Sequence, residues 1–163
     1  MKEEKIFSLE VAGRTLSVKF SELAEQANRS ILIQYGETTV LVAVTMGKND
    51  NLDSDFFPLT VNYEEKFYAA GKILGSRFVR REGKPSESAI LTGRLIDRSI
   101  RPLFNQNLRR EVQIVTTVLS IDNDNDPDFP ALIGTSIALA TSDIPWEGPV
   151  SAIRIGYFND EFK

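Results

Sequence analysis

The sequence predicts an α+β domain, a mixed sheet with packed helices, and three observations carry that expectation. Strand-like segments crowd the chain up to Tyr63, and the two helical patterns come only after it. A doubly wound sheet would alternate the two. Apolar residues make up 42% and charged residues 26% of 163 residues, the balance of one folded domain with a sizeable core. No run approaches the roughly 20 apolar residues of a membrane span.

Ile6 to Phe20 alternates loosely around Ala12-Gly13-Arg14 and reads as a hairpin with Gly13 in its turn. Ser30 to Val44 reads as two strands joined at Gly36-Glu37, the second rich in β-branched residues. Lys48 to Asp55 is a polar loop, and Pro58 to Tyr63 is a further strand. Ala69 to Gly83, with Gly71, Gly75 and Gly83, reads as an extended loop. Pro85 to Phe104 is the clearest helix. Pro85 or Ser86 suits its first turn, Glu87 complements its dipole, and Pro102 marks its end. Its predicted buried arc is Leu91, Leu95, Ile96, Ile100 and Leu103. Glu111 to Ile121 is a β-branched strand, and Pro130 to Thr141 a second helix whose Ala and Gly allow close packing. Ser151 to Tyr157 reads as a last strand. No internal repeat or low-complexity linker interrupts these elements.

Cysteine and histidine are both absent. This excludes disulfides, thiolate metal sites, thiol nucleophiles and imidazole bases, and leaves carboxylates, lysine and hydroxyls. Met1 to Lys5 is charged and no apolar stretch of a signal peptide follows it, so a cytoplasmic protein is expected. The net charge of −4 is unevenly spread: Arg77 to Arg110 carries +6 and the remainder −10. A basic segment in an acidic chain suggests a local anion site, or else a solvated helix face balanced by acids elsewhere.

Three constellations could carry chemistry. Arg94, Arg98 and Arg101 are spaced i, i+4, i+7, within about 60° on one helix stripe opposite the predicted apolar arc. Guanidinium forks match phosphate oxygens. Intrahelical ion pairs with Asp97 or Glu87 are the plainer use. Phe78-Val79-Arg80-Arg81 puts an aromatic beside two arginines in a glycine-flanked loop, where it could stack on a base, or could simply tuck into the core. Asp122 to Asp126 invites a calcium loop, but Pro127 stands where that loop needs Gly and Ile133 where it needs Glu. A helix start with Asp126 as N-cap and Pro127 at N1 is simpler. Gly71-Lys72 lacks the rest of a P-loop, and no carboxylate pair is set against a nucleophile or a metal.

One resemblance goes further. Tyr63 to Gly83 reads YEEKFYAAGKILGSRFVRREG and Lys84 to Phe104 reads KPSESAILTGRLIDRSIRPLF. Together they resemble the signature of the first core repeat of the polynucleotide phosphorylase family, and the flanks continue the likeness along the whole chain. The resemblance implies a ribonuclease PH-like fold, of the ribosomal protein S5 domain 2-like kind. Residues 1–163 would be one such domain, cut short at its C-terminal end. It implies a magnesium-dependent homotrimer that degrades single-stranded RNA from the 3′ end. Inorganic phosphate attacks the last linkage and a nucleoside diphosphate leaves. Phe78, Arg80 and Arg81 match the family's RNA-gripping loop, and Arg94, Arg98 and Arg101 match arginines on the helix toward the active site. Val79, Leu74, Ser99 and Lys84 depart from the pattern, and Ser99 in place of Pro should make the helix more regular. The resemblance places the catalytic and magnesium-binding residues in a second repeat, with none expected here. A stand-alone ribonuclease PH or exosome-ring subunit, or a non-catalytic RNA-binding module, are the other readings.

Overall fold

The computed structural model describes residues 5–20, 23–51, 54–73, 75 and 83–162. Six strands form one sheet: β1 (Lys5–Val11), β2 (Arg14–Phe20), β3 (Arg29–Tyr35), β4 (Thr38–Met46), β5 (Leu59–Glu65) and β6 (Val112–Ser120). Their order is β1-β2-β3-β4-β6-β5. Neighbours are antiparallel except β5 and β6, which run parallel. A parallel pair needs a long crossover, and helix α1 (Glu87–Ile100) lies within it. Helix α2 (Asp128–Ala140) follows β6. The domain is α+β with a mixed sheet, as the sequence predicts.

The helices share one face of the sheet. α2 lies on β3 and β4, α1 lies on β5, and the two touch each other. Period-2 alternation supplies the matching apolar face. Ile31 and Ile33 on β3, Val40, Val42 and Val44 on β4, and Val112, Ile114 and Val118 on β6 are buried there. Each such side chain contributes about 1.5–3 kcal/mol.

The β1–β2 turn is Ala12-Gly13, both at positive φ (50° and 75°), the two-residue turn whose twist suits a hairpin. Gly36 turns β3 into β4 at φ 60°, and a Cβ there would lie 2.4 Å from Asn125 Nδ2. That turn is roofed by residues 122–125. Asp122 accepts from Glu37 N–H at 2.9 Å, and the buried Thr38 hydroxyl donates to Asn125 O at 2.6 Å.

Several expectations are corrected. α1 starts at Glu87 with Ser86 as N-cap, its Oγ accepting from Ala89 N–H at 3.0 Å, and it ends at Ile100. Arg101–Leu103 then forms a 3-10 turn around Pro102. Ser99 continues the helix, its Oγ donating to Leu95 O at 2.8 Å. The buried face of α1 is Ala89, Gly93, Ile96 and Ile100, whereas Leu91 and Leu95 are 65% and 52% exposed. α1 faces little more than β5, and a narrow contact buries a narrow stripe. Asp126 does not cap α2. Pro127 holds that place without a side-chain bond, and Asp126 is drawn instead to the Arg154 guanidinium. Residues 151–156 form no strand, having no ladder partner among the described residues; only Tyr157 of the expected strand is in one, the short hairpin of β7 (Tyr157–Phe158) with β8 (Glu161–Phe162). The expected loop from Ala69 begins inside a 3-10 turn at Phe67–Ala70, and residues 74 and 76–82 lie outside the described residues.

Candidate nucleic-acid interface

Gly93 faces β5 where α1 crosses it. A Cβ there would lie 3.5 Å from Val61 O and 3.6 Å from Tyr63 Cβ. Beside this crossing is an open cleft of about 560 Å³. Val61, Tyr63, Ala89 and Gly93 form its apolar base, and Glu64, Glu65, Lys84, Arg94 and Asp97 line it. Burial pushes the Tyr63 phenol above its usual range, and Glu65, Asp128 and Asp126 push it further. The phenol is neutral at working pH, so it serves as floor rather than nucleophile.

Each carboxylate of the cleft is already engaged. Glu64 pairs with Lys66 Nζ at 3.0 Å. Glu65 accepts from the Ser86 hydroxyl at 2.7 Å, which ties β5 to the N-terminus of α1. Asp97 takes Arg101 bidentately, Nη2 on Oδ1 at 2.6 Å and Nε on Oδ2 at 2.9 Å. Arg94, Arg98 and Lys84 are exposed and have no hydrogen bond or ion pair among the described residues. The charges without an ion-pair partner among the described residues along α1 and the cleft rim are Lys84, Arg94 and Arg98 against Glu65 and Glu87, a small cationic excess that favours an anion.

The predicted arginine stripe divides. Arg94 and Arg98 point outward, Arg94 into the cleft. Arg101 turns back onto β5. Besides Asp97 it donates to Phe57 O at 3.3 Å and Leu59 O at 3.1 Å, and its guanidinium carbon lies 6.0 Å from the Phe57 ring centroid. Its backbone is still helical, φ −55° and ψ −42°, with its N–H on Asp97 O, so the ordinary i, i+4 reach brings it to Asp97. Phe78, Arg80 and Arg81 lie outside the described residues. Lys84 and Glu65 are cleft residues to which pattern reading gave no role in a site, whereas Asp97 was already offered as an ion-pair partner. Only the i, i+4 spacing of Asp97 and Arg101 was a usable signal. Among the described residues no three carboxylates are grouped as metal ligands.

Residues 12–145 match the 3′ exoribonuclease family, domain 1. The chain is 57% identical over 159 residues to the polyribonucleotide nucleotidyltransferase of Exiguobacterium sibiricum, covering 98% of this chain and 21% of that protein. It is 57% identical over 154 residues to that of Thermomicrobium roseum, covering 94% of this chain and 19% of that protein. It thus spans about a fifth of the length of these relatives. Among solved structures it is similar to rice (Oryza sativa) Rrp46, with TM-score 0.63 at 14% identity over 97% of this chain and 64% of that one. It is also similar to the Archaeoglobus fulgidus exosome with RNA bound to the active site, with TM-score 0.54 at 18% identity over 90% of this chain and 57% of that one. These two share its fold. The six-stranded mixed sheet with two helices on one face, and the match across most of its length, place the chain in the 3′ exoribonuclease family, as domain 1 with the ribonuclease PH fold.

Proposed function

We propose that this chain is the RNA-gripping first core repeat of a phosphorolytic 3′-to-5′ exoribonuclease acting in RNA processing and mRNA degradation. The observation that carries the reading is the imbalance of partners along the cleft. Its carboxylates are engaged, while Arg94, Arg98 and Lys84 are free among the described residues. Two guanidiniums and an ammonium along about three turns of chain suit successive phosphates of a single strand. Phe78, Arg80 and Arg81 belong to the same proposed grip.

In the reaction the reading implies, a phosphate oxygen forms a bond to the phosphorus of the 3′-terminal linkage. The bond from that phosphorus to the preceding 3′ oxygen breaks, and a nucleoside diphosphate leaves. The role proposed for Arg94 and Arg98 is to hold the strand in register while this happens. The described carboxylates do not fit the magnesium ion implied by the resemblance, since the cleft acids are each committed to a cation or a hydroxyl. No step is assigned to it in this chain, and its ligands are proposed to lie in a second repeat. A homotrimeric, cytoplasmic parent enzyme completes the reading. No helix among the described residues is long and apolar enough to cross a membrane.

Fluorescence anisotropy with a labelled single-stranded RNA tests the grip. Arg94→Ala and Arg98→Ala should each weaken binding about fivefold, the scale of one exposed charge contact. Each should also lower the salt slope by roughly 0.7. Unchanged affinity in the double variant overturns the role of this helix.

A further inference from the structure

Asp97 sits three residues after Arg94, and the two line the same cleft. Residues three apart on a helix are neighbours, so an unclaimed Asp97 carboxylate would lie within reach of the Arg94 guanidinium. Both of its oxygens are instead held by Arg101, at 2.6 Å and 2.9 Å. Arg101 is fixed in that pose from a second direction by Phe57 O and Leu59 O, at the entry to β5. Phe57 is itself buried against Phe104, ring centroids 4.9 Å apart, and Phe104 packs toward Trp146. The guanidinium is thus anchored to backbone and packed rings, and the carboxylate is anchored to the guanidinium.

We propose that Arg101 is a positioning residue that sequesters Asp97 and so keeps Arg94 free for a phosphate. The inference rests on the reading of the cleft as an RNA grip, and it changes what Arg101 does within that grip. Arg101 does not touch RNA. It withdraws a negative charge from beside the residue that does. The arrangement explains why Arg94 lacks a partner among the described residues despite a carboxylate one turn away. It also explains why Arg101, on the same predicted stripe, turns inward.

Two measurements separate this role from a direct contact and from a purely structural one. The first needs no RNA. In the arginine Nε–Hε region of a nitrogen-15 correlation spectrum, the wild-type chain should show Arg101 as a slowly exchanging, hydrogen-bonded signal and Arg94 as a fast one. In Arg101→Gln the Arg94 signal should become slow, and in Asp97→Asn/Arg101→Gln it should become fast again. An Arg94 signal that stays fast in Arg101→Gln overturns the inference, whatever the chain does with RNA. The second is RNA affinity. Arg101→Gln should bind about fivefold more weakly, and Asp97→Asn/Arg101→Gln should return to wild-type affinity with the wild-type salt slope. A double variant that stays weak, with a slope reduced by roughly 0.7, would make Arg101 a phosphate contact and overturn its positioning role. A wild-type chain that binds no RNA would remove the reading of the cleft, while the spectra alone would decide whether Arg101 sequesters Asp97. Thermal midpoints of all variants check that the fold survives.

Discussion

Asp122 accepts four hydrogen bonds: from Asn125 Nδ2 at 2.6 Å and from the backbone N–H groups of Glu37 at 2.9 Å, Asp124 at 2.8 Å and Asn125 at 2.6 Å. The Asn125 amide, opposed by desolvation and helped by the three backbone donors, lowers its carboxyl from 3.8 to about 2. A carboxyl held below its unfolded value stabilises the fold fully above pH about 3.8 and stops doing so as pH falls through about 2. A carbon-13 titration should therefore place the Asp122 midpoint near 2, with Asn125→Ala raising it. A midpoint near 4 in the wild-type chain would mean that the loop does not hold Asp122 in solution. The acidic run that looks like a metal loop in sequence is thus a turn organised around one carboxylate. What hides this from the sequence is distance: Glu37 and Gly36 meet the loop across more than eighty residues.

α2 succeeds as an element because of its smallest residue. At Gly134 a Cβ would lie 2.9 Å from Ile33 Cγ2 and 3.0 Å from Val42 Cγ2, so helix and sheet touch where no side chain intervenes. Gly134→Ala gains up to about 1 kcal/mol of helix propensity but forces two buried branched side chains aside. Such overpacking costs about 1–3 kcal/mol, so the urea midpoint should fall; a rise would show that the sheet yields. The Ala- and Gly-rich composition made this close approach readable in advance. Strands β1 to β4 were equally readable, since two-residue alternation and turn glycines are local signals. α1 was legible as a helix but not in its facing. Leu91, Leu95, Ile96 and Ile100 make one arc on paper, and only the narrow seat on β5 decides that the leucines stay outside. Arg101 was legible as a cation but not as a clamp, because the carbonyls it meets, Phe57 O and Leu59 O at the entry to β5, lie some forty residues earlier. The segment from Ser151 had strand composition, and composition cannot supply the ladder partner that a strand requires.

For the whole molecule, the cleft lies where the parallel pair β5–β6 forces the chain to cross over, with α1 beside it. On the proposed reading, a strand of RNA lies in this cleft and its free cations hold it. Its cleft carboxylates are committed to internal partners, so the chemistry of phosphorolysis is proposed to lie in another part of the longer protein. The purified chain, given RNA, inorganic phosphate and magnesium, should bind without releasing nucleoside diphosphate. Phosphate-dependent release, seen by thin-layer chromatography of labelled RNA, would move the catalytic centre into this repeat.

At the far side of the sheet, β1 carries Ile6, Phe7 and Leu9 at 63%, 60% and 66% exposure, and its outer edge pairs with no strand among the described residues. A seven-residue strand with apolar side chains and open backbone groups is a template for another strand, so colloidal behaviour follows from it. Concentrated solutions of this chain should scatter light increasingly with time, in proportion to cross-strand association at β1. Leu9→Lys, a charge on the edge, should suppress that growth while leaving RNA affinity unchanged, because the cleft lies beside β5, the opposite edge of the sheet.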